Sequence, residues 1–319
     1  MTIASYTSII PNAKNLYHSG KHNEAFMLLQ QSMQKVKEEL LSLDENIHSQ
    51  LISLSNEMEL TSLSFAVQSI FLHNINARTT IDLLQEKIRS MESKTVNDEV
   101  FVHDLYDLLG LAYYYQEMKK VDKNFEAADH NISKSLAFRE NSGSPKLAYS
   151  YFHKGLIQQY SGDTQQSLEN FKKANIISQQ DPYLLSFISR HLGFMMQQNG
   201  QIKEAKDLFE QSLQLRLDHS IMVYVPFSCI TLADCYMELK EYERAEQLLH
   251  KAVEIGELIH QDRALALAHL SLAQYYENQH LTQQVLEAYL DSYYYARNID
   301  HLGILNFILE KIQLKSDLS

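Results

Sequence analysis

The chain has 319 residues, 45% of them hydrophobic, with only 9 glycines and 4 prolines. It is too apolar to be disordered and too poor in turn residues for an all-β fold. A net charge of −12, from 40 acidic against 28 basic residues, argues against a nucleic-acid partner, whose phosphates an acidic surface repels.

The helical signal is read in chain order. Residues 1–43 form one hairpin: Ala13, Leu16 and Tyr17 precede a turn at Ser19-Gly20, and Ala25, Leu29 and Ser32 follow it. Residues 44–94 make a divergent hairpin. Leu51, Leu54, Met58 and the apolar run to Leu72 give one helix, residues 73–76 the break, and Ile81, Leu84 and Ile88 the return. Residues 100–140 carry Leu109-Gly110 and Tyr113, a longer link, then Ala128, Ile132 and Ser135. Residues 144–180 carry Gly155, a turn at Ser161-Gly162-Asp163, then Ser167, Phe171 and Ala174.

The clearest copy is residues 183–217, with Leu192-Gly193, a turn at Asn199-Gly200, then Ala205, Phe209 and Ser212. It returns over 221–259 as Leu232-Ala233, Tyr236, Ala245, Leu249 and Ala252, and over 263–297 as Leu272-Ala273, Tyr276, Val285, Tyr289 and Ser292. The small residues Gly155, Gly193, Ala233 and Ala273 are 38, 40 and 40 residues apart. Each lies 12 residues before its mate, Ser167, Ala205, Ala245 or Val285. Small side chains are needed where two antiparallel helices cross closely. The pattern therefore predicts an all-α, right-handed solenoid of stacked hairpins that are stable only together. Its expected parts are N-terminal hairpins over 1–94, a repeat array over 100–297, and a capping helix and tail over 298–319. In the cap, Leu302, Leu305, Ile308, Leu309 and Ile312 are expected on one side.

These residues resemble the tetratricopeptide repeat, over 100–297 and more weakly over 5–35. That family has a small residue after a Leu, an aromatic three later, then Ala, Phe and Ala on the second helix. The 38–40-residue spacing exceeds the family's usual 34, and the family's early tryptophan and closing proline are missing. Pro145, Pro182 and Pro226 fall instead near the starts of first helices, where proline is tolerated. Long repeats of this kind look like those of the Rap-type peptide receptors of Gram-positive bacteria and of kinesin light chain.

The resemblance implies a concave face lined by the first helices and used to bind a protein or peptide segment. By phase from the small residues, the candidates are Asp104, Asp107 and Tyr114, then Phe152 and Gln159, then Phe187, Arg190, Phe194 and Gln197. Ile230, Asp234 and Met237 follow on the next unit and Leu270, Gln274 and Glu277 on the last. Aromatics supply buried area and amides pair with a peptide backbone. The Lys/Asn carboxylate clamp that holds chaperone tails finds only Phe152/Leu156, Arg190/Phe194 and Ile230/Asp234 at its positions, so a chaperone-tail adaptor is not expected. Tyr293, Tyr294 and Tyr295 are expected to pack against the capping helix.

The sequence holds no GxSxG, P-loop, HExxH or CxxC, which points to a non-enzymatic protein without cofactor or metal. Cys229 and Cys235, six apart on a predicted helix, fall on different faces, so no disulfide is expected. No apolar run approaches a membrane span, and the first residues carry no signal-peptide pattern. A cytoplasmic setting without a membrane partner is the expectation. Three functions remain: a binding scaffold, a regulatory sensor whose superhelix changes shape on binding a peptide, or a homo-oligomeric scaffold assembled through the aromatic C-terminal end.

Overall fold

The computed structural model describes residues 6–40, 45–73, 75–93, 98–120 and 122–316. Within them the chain forms fifteen α-helices and no strand. The first two hairpins are α1 (Ile9–His18) with α2 (His22–Leu40), and α3 (Glu45–Leu72) with α4 (Ala77–Glu92). The array follows as α5 (Glu99–Glu117) with α6 (Glu126–Ser142), α7 (Leu147–Ser161) with α8 (Thr164–Ile177), and α9 (Pro182–Gln198) with α10 (Ile202–Asp218). It continues as α11 (Val225–Glu238) with α12 (Tyr242–Leu258) and α13 (Asp262–Asn278) with α14 (Thr282–Asn298), and α15 (Leu302–Ser316) closes it. The last three residues of the expected tail lie outside the described residues.

The hairpin crossings explain the choice of small residue. A side-chain carbon on Gly155 would fall 2.7 Å from the Phe171 ring, and one on Gly193 would fall 2.5 Å from the Phe209 ring. Where the facing residue is Leu249 or Tyr289, the small position is Ala233 or Ala273 instead. Buried serines are tolerated at the seams because each finds a carbonyl. Ser167 Oγ donates to Gly155 O at 2.8 Å, Ser212 Oγ to Ser186 O at 2.7 Å and Ser292 Oγ to Ala266 O at 2.7 Å.

The links are equally regular. Gly200, Ser220, Lys240, His260, His280 and Asp300 all have positive φ and follow one another at intervals of 20 residues. Each ends a helix with a left-handed residue. After it, the next N–H reaches back into the last turn, as in Gln201 N to Met196 O and Gln261 N to Gly256 O, both 2.9 Å. Among its described residues the longer α5–α6 link has no such residue; Glu117 braces it, accepting from Lys120 Nζ and from the Asn124 amide.

α3 departs from the repeat. Leu51, Met58, Phe65 and Leu72 recur every seven residues and join the core shared with α1 and α2, whereas Leu63, Val67 and Ile70 join the core of α4, α5 and α7. A helix segment with apolar residues on opposite sides must be buried on both, and from Met58 to Leu72 α3 has them on both. α3 meets that need by lying inside the superhelix: Phe71 packs 5.5 Å from Phe227 of α11 and 5.4 Å from Tyr115 of α5. α1 fixes it there. Tyr17, fully buried, stacks on Phe65 at 4.1 Å and donates to its carbonyl at 3.1 Å. His18 then stacks on Tyr183 of α9 at 5.0 Å, and a side-chain carbon on Gly20 would meet Ile259, beyond α12, at 3.0 Å.

Two details of the C-terminal end differ from expectation. Ile304 and Ile308 face the core in α15, while Leu302 and Leu309 are half or more exposed; apolar residues are spread around this helix, and the pair one turn apart nearest α14 is the one buried. Tyr295 stacks on His269 of α13 at 5.7 Å rather than on the cap, and Tyr294 is exposed.

Candidate functional site

With α3 inside, the concave face is an interior. A cavity of about 450 Å³ remains between α3 and the inner sides of α5, α7, α9 and α11. Its middle is apolar, walled by Phe65, Leu108, Leu111, Phe152, Leu156 and Phe187. One end reaches the surface at Glu57, beside Asp104, Lys146 and Asp181, and the other at Tyr160, beside Tyr114 and Arg190.

Charge is arranged differently at the two ends. At the first, Arg139 is almost fully buried, and its Nη2 donates to Asp104 Oδ1 at 2.6 Å. Its Nη1 donates to Ser150 Oγ at 2.7 Å and lies 3.3 Å from Asp107 Oδ1. Lys146 Nζ completes Asp104, and His153 Nδ1 donates to Asp107 Oδ2 at 2.9 Å. Burial pushes the Asp107 carboxyl up, but Arg139 and His153 more than offset this and hold it well below the usual carboxylate range. Nearby, Tyr149 donates to Asp181 Oδ2 at 2.7 Å while Asp181 Oδ1 caps α9 through the Leu184 amide.

Across the cavity the cations have no acid. Arg216, 1% exposed, is held by neutral oxygens, with Nη1 donating to Ser228 Oγ and to the Tyr224 carbonyl, both at 2.8 Å. It lies over the rings of Phe187 and Tyr224 at 4.7 and 5.4 Å. Arg190 gives both Nε and Nη2 to one hydroxyl, Thr231 Oγ1, at 3.2 and 3.0 Å, above the Phe194 ring at 4.6 Å. Burial lowers the pKa of both guanidiniums, and Arg190 lowers that of Arg216 further. Burial, then Arg190 and Arg216, also hold the His191 imidazole neutral, and its Nδ1 donates to Gln159 Oε1 at 2.8 Å.

Of the residues singled out from sequence, Asp104, Asp107, Tyr114, Phe152, Phe187 and Arg190 come together in the cavity wall. Gln159 and Phe194 stand directly behind it, one holding His191 and the other underlying Arg190. The remainder lie outside it, on α9, α11 and α13, with Ile230 in the core and Leu270 against it. Gln197 bonds Glu238, Met237 packs half-buried at the core edge, Gln274 is half-buried, and Glu277 accepts from Tyr289 at 3.1 Å. Asp234 is half-buried with Oδ1 unpartnered; burial, offset only in part by Ser271 and Arg190, raises its carboxyl to about 7. Phase counting missed Arg216, Thr231 and Tyr160 on the array, and Phe65 and Gln68 on α3, which no repeat pattern covers.

The Tetratricopeptide repeat family model matches residues 228–255, which are most of the α11–α12 hairpin. The α11–α12 hairpin is thus similar to a tetratricopeptide repeat. Among curated proteins, the chain is 30% identical over 95 residues to the photosystem I assembly protein Ycf3 of Acaryochloris marina, covering 30% of this chain and 55% of that one. The chain spans about half the length of the curated relatives it matches. Among solved structures, the tetratricopeptide fold here superposes on a Rap protein complexed with competence and sporulation factor. The TM-score is 0.59 at 13% identity, over 99% of this chain and 98% of that one. It is also similar to aspartyl phosphate phosphatase F of Bacillus subtilis, with a TM-score of 0.53 at 11% identity, over 98% and 94%. The latter likenesses extend through the N-terminal hairpins, and at this identity they concern the fold. No described helix is long and apolar enough to cross a membrane.

Proposed function

We propose that this helical-repeat protein is a non-enzymatic sensor that takes a short peptide or peptide-sized ligand into the cavity between α3 and the repeats. The observation that carries this reading is that the chain's own α3 occupies the concave face. What is left is a cavity of about 450 Å³, within the ~300–1,000 Å³ of small-ligand sites, rather than a groove for a long partner segment. Its apolar middle and polar ends suit a short amphiphilic chain. Because α1 and α3 form one wall, ligand occupancy is linked to how the N-terminal hairpins are seated, and these are where an output to a partner protein would be made. Native mass spectrometry after incubation with a library of tetra- to octapeptides tests this. Retention is expected for the native chain and not for Leu156→Trp, which fills the cavity. Equal retention by a folded Leu156→Trp variant would place binding elsewhere.

The scaffold reading keeps one specific support. The partly buried row Asp234, Met237, Gln274 and Glu277 lies outside the cavity at the ends of α11 and α13, where a protein segment can dock without displacing α3. Asp234→Ala together with Gln274→Ala would then reduce partner capture, while Leu156→Trp would not.

A further inference from the structure

A cation is buried at a cost unless an acid or several good acceptors meet it. The Arg139 end of the cavity obeys this rule and the Arg190 end does not. Arg190 spends two of its nitrogens on one threonine hydroxyl, and its Nη1 has no hydrogen-bond partner among the described residues. No carboxylate lies within ion-pair distance of it there; Asp234 is the acid in electrostatic reach, and its own Oδ1 is unpartnered. Tyr114 and Tyr160 share this end, with ring centroids 6.0 Å apart and both acting electrostatically on Arg190. Burial holds the Tyr114 phenol protonated, so it can donate. Neither hydroxyl has a hydrogen bond among the described residues. The Nη1 amino group of a guanidinium and two phenol O–H groups thus lie at the same end of an apolar cavity.

We propose that this end is an anion subsite: the ligand is a small amphiphile whose acid group seats on Arg190 with Tyr114 and Tyr160, and whose apolar body lies along Leu111, Phe152, Leu156 and Phe187. The proposal rests on the cavity being a ligand site, and it adds the chemical class. An apolar chain ending in a carboxylate is the shared chemistry of a peptide C-terminus and a fatty acid. Bidentate acceptance from Arg is the strong form of that contact. The opposite end, where Asp104 and Asp107 already have cations, offers no comparable vacancy for an acid group.

The test is isothermal titration of the full chain with two matched pairs: an apolar hexapeptide as free acid against its C-terminal amide, and decanoate against decanol. At least one acid is expected to bind about tenfold or more tightly than its neutral partner, the worth of one charged hydrogen bond. The pair that discriminates names the source. Arg190→Gln should abolish the preference without lowering the melting temperature, and Arg190→Lys should retain part of it. Equal binding of acid and neutral partners, or an undiminished preference in Arg190→Gln, would overturn the anion subsite while leaving the cavity a ligand site. Failure of all four probes to bind would count against both readings.

Discussion

The α5–α6 and α9–α10 units place different chemistry on the same repeat positions. Asp104 and Phe187 each stand six residues before the small residue of their helix, Gly110 or Gly193, and Asp107 and Arg190 each stand three before it. Arg139 and Arg216 each follow a seam serine, Ser135 or Ser212, by four residues, and each reaches a serine on the next helix, Ser150 or Ser228. In the first unit the arginine meets two carboxylates. In the second it meets the Phe187 ring, and a further arginine takes the place of an acid. One unit is electrically closed and its partner carries unmatched positive charge toward the cavity. Repeats make this contrast readable, because the backbone around both sets is the same and only the side chains vary.

The contrast breaks most sharply under substitution. Asp107→Ala takes the acceptor from His153 and one of two carboxylates from the buried Arg139, which keeps Asp104, and should cost about 3 kcal/mol, read as a lower urea midpoint. Arg190→Gln at the equivalent position removes a cation that has no acid, and should change stability by less than about 1 kcal/mol. Equal losses would mean that Arg190 is as structural as Asp107.

Acid sharpens the comparison next. His18 and His22 are lowered to about 4, first by burial, and burial also lowers His73; His22 packs 4.3 Å from His73 and 4.5 Å from Tyr17. Their folded pKa values lie below the unfolded value of about 6.5, so the unfolded chain binds more protons between those limits. Stability at the α1–α3 seat is therefore full above about 6.5 and is lost as pH falls toward about 4. Asp234, raised to about 7, works in the opposite sense over part of that range but lies away from the seat. Asp107 keeps its charge throughout. Hydrogen exchange should show the α1–α2 amides opening at about pH 5 while those around Asp107 stay protected. Uniform loss of protection would contradict the separation.

The smallest effect concerns the links. α9 turns at Gly200, but α13 uses the exposed His280 at the corresponding left-handed position. His280→Gly should stabilise by at most about 1 kcal/mol, strain relief being partly offset by the freer unfolded chain. A loss of stability would mean that the His280 side chain contributes a contact of its own.

Much of the array was legible because close helix crossings demand small residues at a fixed phase, and Gly193, Ala233 and Ala273 report that demand directly. The occupied concave face was not, since a repeat pattern is silent about a helix that does not repeat. Its signal was nonetheless present: Met58, Phe65 and Leu72 on one side with Leu63, Val67 and Ile70 on another require the second half of α3 to be buried on both sides. The candidate site divides in the same way. Phase relative to the small residues found Phe187 and Arg190. It could not find Arg216, which approaches the cavity from a second helix, or Tyr160, which sits beyond the phase that was counted.

The contact between Gly20 and Ile259 has a mechanical consequence. An unclosed stack of repeats can fray from either end, each unit answering only to its neighbour. Here the first hairpin is fastened to a turn near the far end of the array, so loosening it costs contacts on α9, on the turn before α11 and on the turn after α12 at once. Denaturation should accordingly approach a single cooperative transition through this closure, and severing it, for instance with Gly20→Leu, should convert that transition into separate steps.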